Sequence, residues 1–233
     1  LIESLATEAQ AFAIECSSFR LEHTELFRAQ ASAWLNIAPD HLDWHSSYQK
    51  YFDAKAKMWA NCLPTDVVVA PIEDVNICAV ARASAARVVT FGAADGDYRV
   101  VGNELCGPSG PIMNVSRMKR SLPHDVTNAL AAAAVCIEGG LASAEHVARA
   151  LEQFENAPHR IQFVAEIGGV RWFNDSKATS PHAASVALRA FDSIVLIAGG
   201  KNKGLDLSQM ASEPHRMRAV VAIGAAARSV KGR

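Results

Sequence analysis

Between Asn174 and Ala184 the chain reads "NDSKATSPHAA", which sets Asp175, Lys177, Thr179 and Ser180 close together. Ser180 and Pro181 suit the cap and first residue of a helix. That cap accounts for Ser180 but not for Asp175, Lys177 and Thr179. A lysine, a hydroxyl and a helix amino terminus together suit a carboxylate ligand. Other groups could also do chemistry. Glu15 closes the apolar run "FAIE" just before "CSSF". If that run is a strand, the carboxylate stands at the carboxyl end, where α/β sheets gather ligands, and can hold Mg²⁺. A solvated acid at a strand end is the plainer alternative. "LNIAPDHLDWH" brings Asp40, His41, Asp43 and His45 after the next apolar run. An imidazole can ligate a metal and aspartates can orient it, or the stretch is an ordinary polar loop. If the sheet is parallel, this loop lies beside Glu15.

Three further candidates are weaker. Lys55 and Lys57 lie on one amphipathic helix, and one of them can face back as a charge for phosphate or as a modified amine, or both simply snorkel on a wet face. Asn128 sits one turn into a helix behind "PHDVT", where it can face a nucleotide or be plain surface polarity. "GGKNKG" (199–204), which includes Lys203, comes after a strand. Its glycines let backbone approach an anion, but it has neither P-loop nor GxGxxG spacing.

These residues need a scaffold. Ala11–Phe19 reads as a buried strand and turn, and Ala31–Asp40 as a second strand stopped by Pro39. Ser46–Cys62 reads as an amphipathic helix on Tyr48, Tyr51, Phe52, Met58 and Trp59. "DVVVAP", a helix through "NICAVARAS" and "RVVTFG" continue the alternation. An antiparallel excursion with Gly/Pro turns comes next. Helices then begin at Pro123 and after Ser143, the first ended by Gly139–Gly140. "ENAPHR" reads as a linker, and "IQFVAEIGGVRWFND" as a hairpin about Gly168–Gly169. A helix from Pro181, the strand "SIVLIAGG", a short helix and "AVVAIG" complete the pattern. Alternating strands and helices predict the α/β class, with a mostly parallel, ATPase-type central sheet flanked by helices and a partial Rossmann-like second domain. The boundary falls near residue 157, giving domains 1–157 and 158–233.

The net charge of −1 gives no reason to expect nucleic acid or an acidic membrane surface as a partner. No apolar run approaches the roughly 18 residues that span a bilayer. Cys16, Cys62, Cys78, Cys106 and Cys136 lack metal spacing, which points to reduced thiols in a cytoplasmic protein. The chain begins at Leu1 and stops shortly after a strand, and a piece of a longer protein is expected.

In this order, "ECSSFRLE", "LNIAPDHLDWH", "YFDAK", "TNALAA", "PHR", "FNDSKAT" and "GGKNKG" resemble the Mur ligase family across essentially the whole chain. "SSFRLE" and "NDSKAT" favour the members that add D-glutamate. The resemblance implies an ATP-dependent ligase that joins D-glutamate to UDP-MurNAc-L-Ala through an acyl phosphate, with Mg²⁺, in the synthesis of the peptidoglycan precursor. It implies Glu15 and His41 as magnesium ligands, and Lys55 as a carbamylated lysine that joins a magnesium site. Asn128, Arg160 and Asp175 would contact ATP. Lys177, Thr179 and Lys203 would lie near the amino acid. Catalysis would rest on Lys55, His41 and Lys177. Asp125 stands where the family often has asparagine, and Ser180 follows "SKAT" where asparagine is frequent. The family's "GTxGKT" loop does not occur in the sequence, so this chain alone is expected not to ligate. The expected state is a monomer without nucleic-acid or membrane partners. Two alternatives stay open. One is another Mur ligase or a folylpolyglutamate synthase-like amide ligase. The other is a non-catalytic nucleotide-binding fragment.

Overall fold

A computed structural model describes residues 8–200 and 206–225. The fold is α/β, and contacts divide it into two compact units. One comprises residues 1–36, 49–117 and 126–152, the other 37–48, 118–125 and 153–233.

In the first unit, the apolar run 11–15 does not form the expected strand. It is exposed, and among the described residues the first helix is α1 (Ser18–Glu22), whose amino end is capped by Ser17. An apolar run makes a strand only where a neighbour accepts its hydrogen bonds, and among the described residues no strand pairs with it. The next expected strand, 31–40, is also shorter. β1 (Ala31–Ala33) keeps three residues. The Trp34 amide still reaches the Val69 carbonyl at 3.0 Å, and just beyond it the Trp34 indole N–H donates to the Asn36 carbonyl at 3.1 Å.

Aromatic packing anchors the next helix. α2 (Tyr48–Ala56) runs into a 3₁₀ turn, Lys57–Trp59. Trp34 lies 5.1 Å from Phe52 and meets Trp59 edge-on at 5.6 Å. Trp59 is 2 % exposed, and its indole N–H donates to Ser32 Oγ at 2.9 Å, so a buried donor is satisfied. β2 (Val67–Pro71) is the central strand of a parallel sheet ordered β1-β2-β3, with β3 at Arg87–Phe91. Val68 stands opposite both Ser32 and Val88. Val67 to Ala70 are all buried, as a strand covered on both faces requires. α3 (Val75–Ala83) supplies the β2–β3 crossover and is capped by Asp74, which accepts from the Asn76 and Ile77 amides at 3.0 Å. β4 (Arg99–Val101), β5 (Glu104–Gly107) and β6 (Gly110–Asn114) make the expected antiparallel sheet. α4 (Pro123–Glu138) and α5 (Ala144–Gln153) come after it, with Ser143 accepting from the His146 amide.

Asp66 leads into β2 and is buried. Its carboxylate accepts from Arg28 Nε and Nη2 at 2.7 and 2.6 Å and from the Leu63 amide at 2.7 Å. The Arg28 hydrogen bonds hold its pKa below the ordinary carboxylate value. A depressed folded pKa stabilises the fold above the unfolded pKa of about 3.9, and that contribution is lost as pH falls through the folded value. Asp66→Asn cannot ionise. Its urea midpoint is therefore expected below the wild type's at pH 7, with the gap narrowing below about pH 4. A gap of equal size at both pH values would refute this role.

In the second unit, β7 (Gln162–Ile167) and β8 (Val170–Asn174) form a hairpin. Gly168 and Gly169 have φ of 59° and 76°, the left-handed pair that a two-residue turn needs. Phe173 packs 5.8 Å from Phe163 and 4.7 Å from Phe191. α6 (Pro181–Arg189) comes next, and β9 (Ile194–Gly199) pairs in parallel with β10 (Met217–Ile223). Among the described residues no helix is long and apolar enough to cross a membrane. All five cysteines are free thiols.

Candidate functional site

In the second unit, two short segments named in the sequence come together. The loop "PHRI", 158–161, carries Arg160, and the turn "NDSK", 174–177, continues directly from the end of β8. Three hydrogen bonds join them. The Ile161 amide donates to Asp175 Oδ1 at 3.0 Å, the Lys177 amide donates to the His159 carbonyl at 3.2 Å, and Asn174 Nδ2 meets His159 Nδ1 at 2.9 Å. The loop is strained. His159 and Ile161 have φ of 65° and 46°, and a β-branched residue at positive φ is a true outlier. Such conformations cost on the order of 1–3 kcal/mol and persist only where surroundings impose them. Arg160 sits between the two strained residues and is exposed. Its planar fork of donors suits a phosphate. Burial raises the Asp175 pKa, opposed by the Ile161 amide and by the charges of His124, Arg160 and Arg120.

Arg120 holds this loop through its carbonyls. Its Nε and Nη2 each donate to the Asp125 carboxylate at 2.7 Å, while Nη1 donates to the carbonyls of Arg160 at 2.7 Å and Ile161 at 2.9 Å. The Asp125 side chain is only 4 % exposed and also accepts from Asn156 Nδ2 at 3.0 Å and the Leu122 amide at 3.1 Å. His124 Nε2 lies 3.5 Å from Asp125 Oδ1, and burial lowers the His124 pKa. Sequence reasoning missed Arg120 and Asn156. Their partnership with this region depends on contacts across as many as 41 and 31 residues, which no local pattern announces.

Past the turn, Ser180 caps α6 as expected, accepting from the Ala183 amide at 3.3 Å, with Pro181 in the first turn. Lys177 and Thr179 are exposed beside this amino terminus. Lys203 lies outside the described residues. His41 belongs to this unit and adopts a φ of 55°, with its amide donating to Asp40 Oδ1 at 2.8 Å.

In the first unit, the two helix lysines separate. Lys57 Nζ donates to the Glu22 carbonyl at 2.5 Å and so closes the end of α1. Lys55 is half-buried, with its ammonium 5.7 Å from the Tyr51 ring centre. Burial lowers its pKa against the opposing charges of Cys16 and Glu15. Lys55, its pKa lowered by burial, thus feels the charge of Glu15. Glu15 itself is exposed and stands in an irregular segment, not at a strand end. Asn128 is exposed on α4.

These residues can be tested against a magnesium ion. Glu15 offers the hard oxygen ligands that Mg²⁺ takes. Lys55 offers an amine whose lowered pKa favours the neutral, carbamylation-competent form. Among the described residues no three His, Cys, Asp or Glu side chains stand together as a ready-made metal cluster.

Comparison with known proteins places the chain. The profile of the Mur ligase middle domain matches residues 1–136. The chain belongs to the Mur ligase family. Among curated Mur ligases, the UDP-N-acetylmuramoylalanine–D-glutamate ligase of Frankia casuarinae is 37 % identical over 96 % of this chain and 49 % of that protein. The one from Pelotomaculum thermopropionicum is 38 % identical over 91 % of this chain and 49 % of that protein. The chain thus spans about half the length of the curated relatives it matches. Solved Mur ligase structures share the fold. MurF of Acinetobacter baumannii superposes with a TM-score of 0.65 at 22 % identity, covering 84 % of this chain and 47 % of that one. MurC of Thermotoga maritima gives 0.62 at 21 %, covering 92 % and 50 %. At these identities the structural likeness speaks for the fold alone.

Proposed function

We propose that the full-length protein is an ATP-dependent ligase that adds D-glutamate to UDP-MurNAc-L-Ala in the cytoplasm, as a monomer, during synthesis of the peptidoglycan precursor. The observation that carries the reading is the hydrogen-bonded union of the Arg160 loop with the Asp175–Lys177 turn. It joins the loop of Arg160, whose guanidinium suits a phosphate, to a turn carrying a carboxylate and a lysine that leads into α6. The choice of D-glutamate rests on relatives of that name at 37–38 % identity and on the "NDSKAT" segment.

In this reading a carboxylate oxygen of UDP-MurNAc-L-Ala attacks the γ-phosphorus of ATP, and ADP leaves. The neutral amine of D-glutamate then attacks the acyl carbon, loses a proton, and inorganic phosphate leaves as the amide forms. Arg160, Asp175 and Asn128 hold ATP. Lys177, Thr179 and Lys203 hold the carboxylates of D-glutamate by charge and hydrogen bonding. Glu15 and a carbamylated Lys55 are magnesium ligands, and His41 is assigned to magnesium as well. When bound, Mg²⁺ supplies neutralising charge to the phosphates. Residues 1–157 form the nucleotide-binding domain and residues 158–233 the amino-acid-binding domain.

The test is phosphate release by the full-length protein with ATP and UDP-MurNAc-L-Ala. Release is expected with D-glutamate and at least about tenfold less with L-alanine, which leaves a site built for paired carboxylates with an unpaired cation, or with meso-diaminopimelate, whose second ammonium is repelled by the lysines of that site. Equal release with another amino acid would replace this reading with that of a sibling amide ligase. No ATP binding at all would leave a non-catalytic fragment. The 233-residue chain alone, whose sequence has no "GTxGKT" loop, is expected to release no phosphate.

A further inference from the structure

Arg120 fits no role in the reaction just proposed, yet its guanidinium ties Asp125 to the ATP-side loop. Two of its nitrogens neutralise Asp125, and the third bridges the carbonyls of Arg160 and Ile161. Those carbonyls flank the strained residue Ile161, which holds a φ of 46°. The Ile161 amide is fixed from the other side by Asp175. The loop is thus held at both its carbonyls and its amide, and an isoleucine left to itself returns to negative φ. That relaxation would turn the preceding peptide and re-aim Arg160.

We propose that Arg120 is a positioning residue for nucleotide binding: with Asp125 as its buried counter-charge, it holds the 159–161 loop in the conformation that aims Arg160 at the phosphates of ATP. The inference rests on the ATP-binding reading of Arg160. It also explains Asp125, which stands where the family resemblance gives asparagine. An arginine at position 120 needs a carboxylate beside it, because Asp125 and Arg120 are 4 % and 21 % exposed and neither charge would be stable there alone. Asn156 and the Leu122 amide complete the shell around that carboxylate and fix its orientation.

The experiment uses the full-length protein and four variants: Arg120→Ala, Arg120→Lys, Arg160→Ala, and the double variant Arg120→Met with Asp125→Asn. ATP dissociation constants come from equilibrium dialysis, KM and kcat from phosphate release, and melting temperatures from circular dichroism. Arg120→Ala is expected to weaken ATP binding about tenfold, the size of one released backbone strain, with the KM for D-glutamate unchanged. Arg120→Lys, a point charge without the fork, is expected to recover little of it. The double variant removes both buried charges. It is expected to regain the melting temperature while the ATP constant stays weak, because the two carbonyls remain unclamped. Recovery of ATP binding together with melting temperature would overturn the proposal and reduce Arg120 to a charge partner of Asp125. Wild-type ATP binding in Arg120→Ala would overturn it as well. If Arg160→Ala weakens ATP binding and the Arg120 variants do not, this inference alone fails. If the wild type binds no ATP, the functional reading and this inference fall together.

Discussion

Replacing Lys55 by glutamine in the full-length protein is expected to lower D-glutamate ligation by on the order of 10²–10³-fold, the equivalent of the several kcal/mol that one metal-ligand interaction supplies to a phosphoryl-transfer transition state. Burial is the physical origin of this expectation. The Lys55 amine is half-buried, burial lowers its pKa, and Cys16 and Glu15 oppose the shift only in part. A lowered pKa increases the neutral fraction at a given pH. A neutral amine can attack carbon dioxide, forming an N–C bond and losing a proton, and the carbamate so made is an oxygen ligand for magnesium. Activity is therefore expected to fall when bicarbonate is stripped and to return when it is restored. Lys55→Arg keeps the charge and cannot form the carbamate, so it should be as impaired as the glutamine variant. An active arginine variant would show that Lys55 serves as a plain cation.

The largest structural effect is expected at Trp59. Trp59→Ala should cost about 4 kcal/mol and lower the melting temperature of the chain by roughly 10 °C, as measured by circular dichroism with a parallel urea titration. The side chain is 2 % exposed, abuts Trp34 and donates to Ser32. Its removal leaves a cavity against β1 and an unsatisfied hydroxyl. It also frees the turn that ends α2, the helix that carries Lys55. Trp59→Phe keeps much of the ring contact and loses the hydrogen bond, so about 1–2 kcal/mol is expected. A loss under about 1 kcal/mol for the alanine variant would mean that the site collapses and Trp59 is not the anchor of α2.

Local chemistry determined a good part of this protein before any packing was considered. Gly168–Gly169 required a tight hairpin because only glycine accepts two successive left-handed conformations cheaply. Ser180–Pro181 required a helix start because a hydroxyl and a preset φ serve that position. "DVVVAP" announced a strand buried on both faces by having no polar side. The segments that carry Arg160, Asp175 and Lys177 were legible as candidates, and the fold joins them by hydrogen bonds.

The rest depended on partners distant in the chain. The run 11–15 has the composition of a strand and is not one, because a strand exists only where a neighbour accepts its hydrogen bonds. The run 31–40 keeps only three residues of strand, and just past them the Trp34 indole donates to the Asn36 carbonyl. Lys55 and Lys57 are alike in sequence. The Glu22 carbonyl, 35 residues away, claimed one, and burial lowers the pKa of the other. Arg120 was invisible as a site residue, since its meaning lies in two carbonyls 40 and 41 residues further along. Residue types and short spacings fix φ, caps and periodicity, because those energies act within a turn or two of chain. Which carbonyl, carboxylate or edge meets a given side chain is settled only when the fold brings distant segments within hydrogen-bond reach.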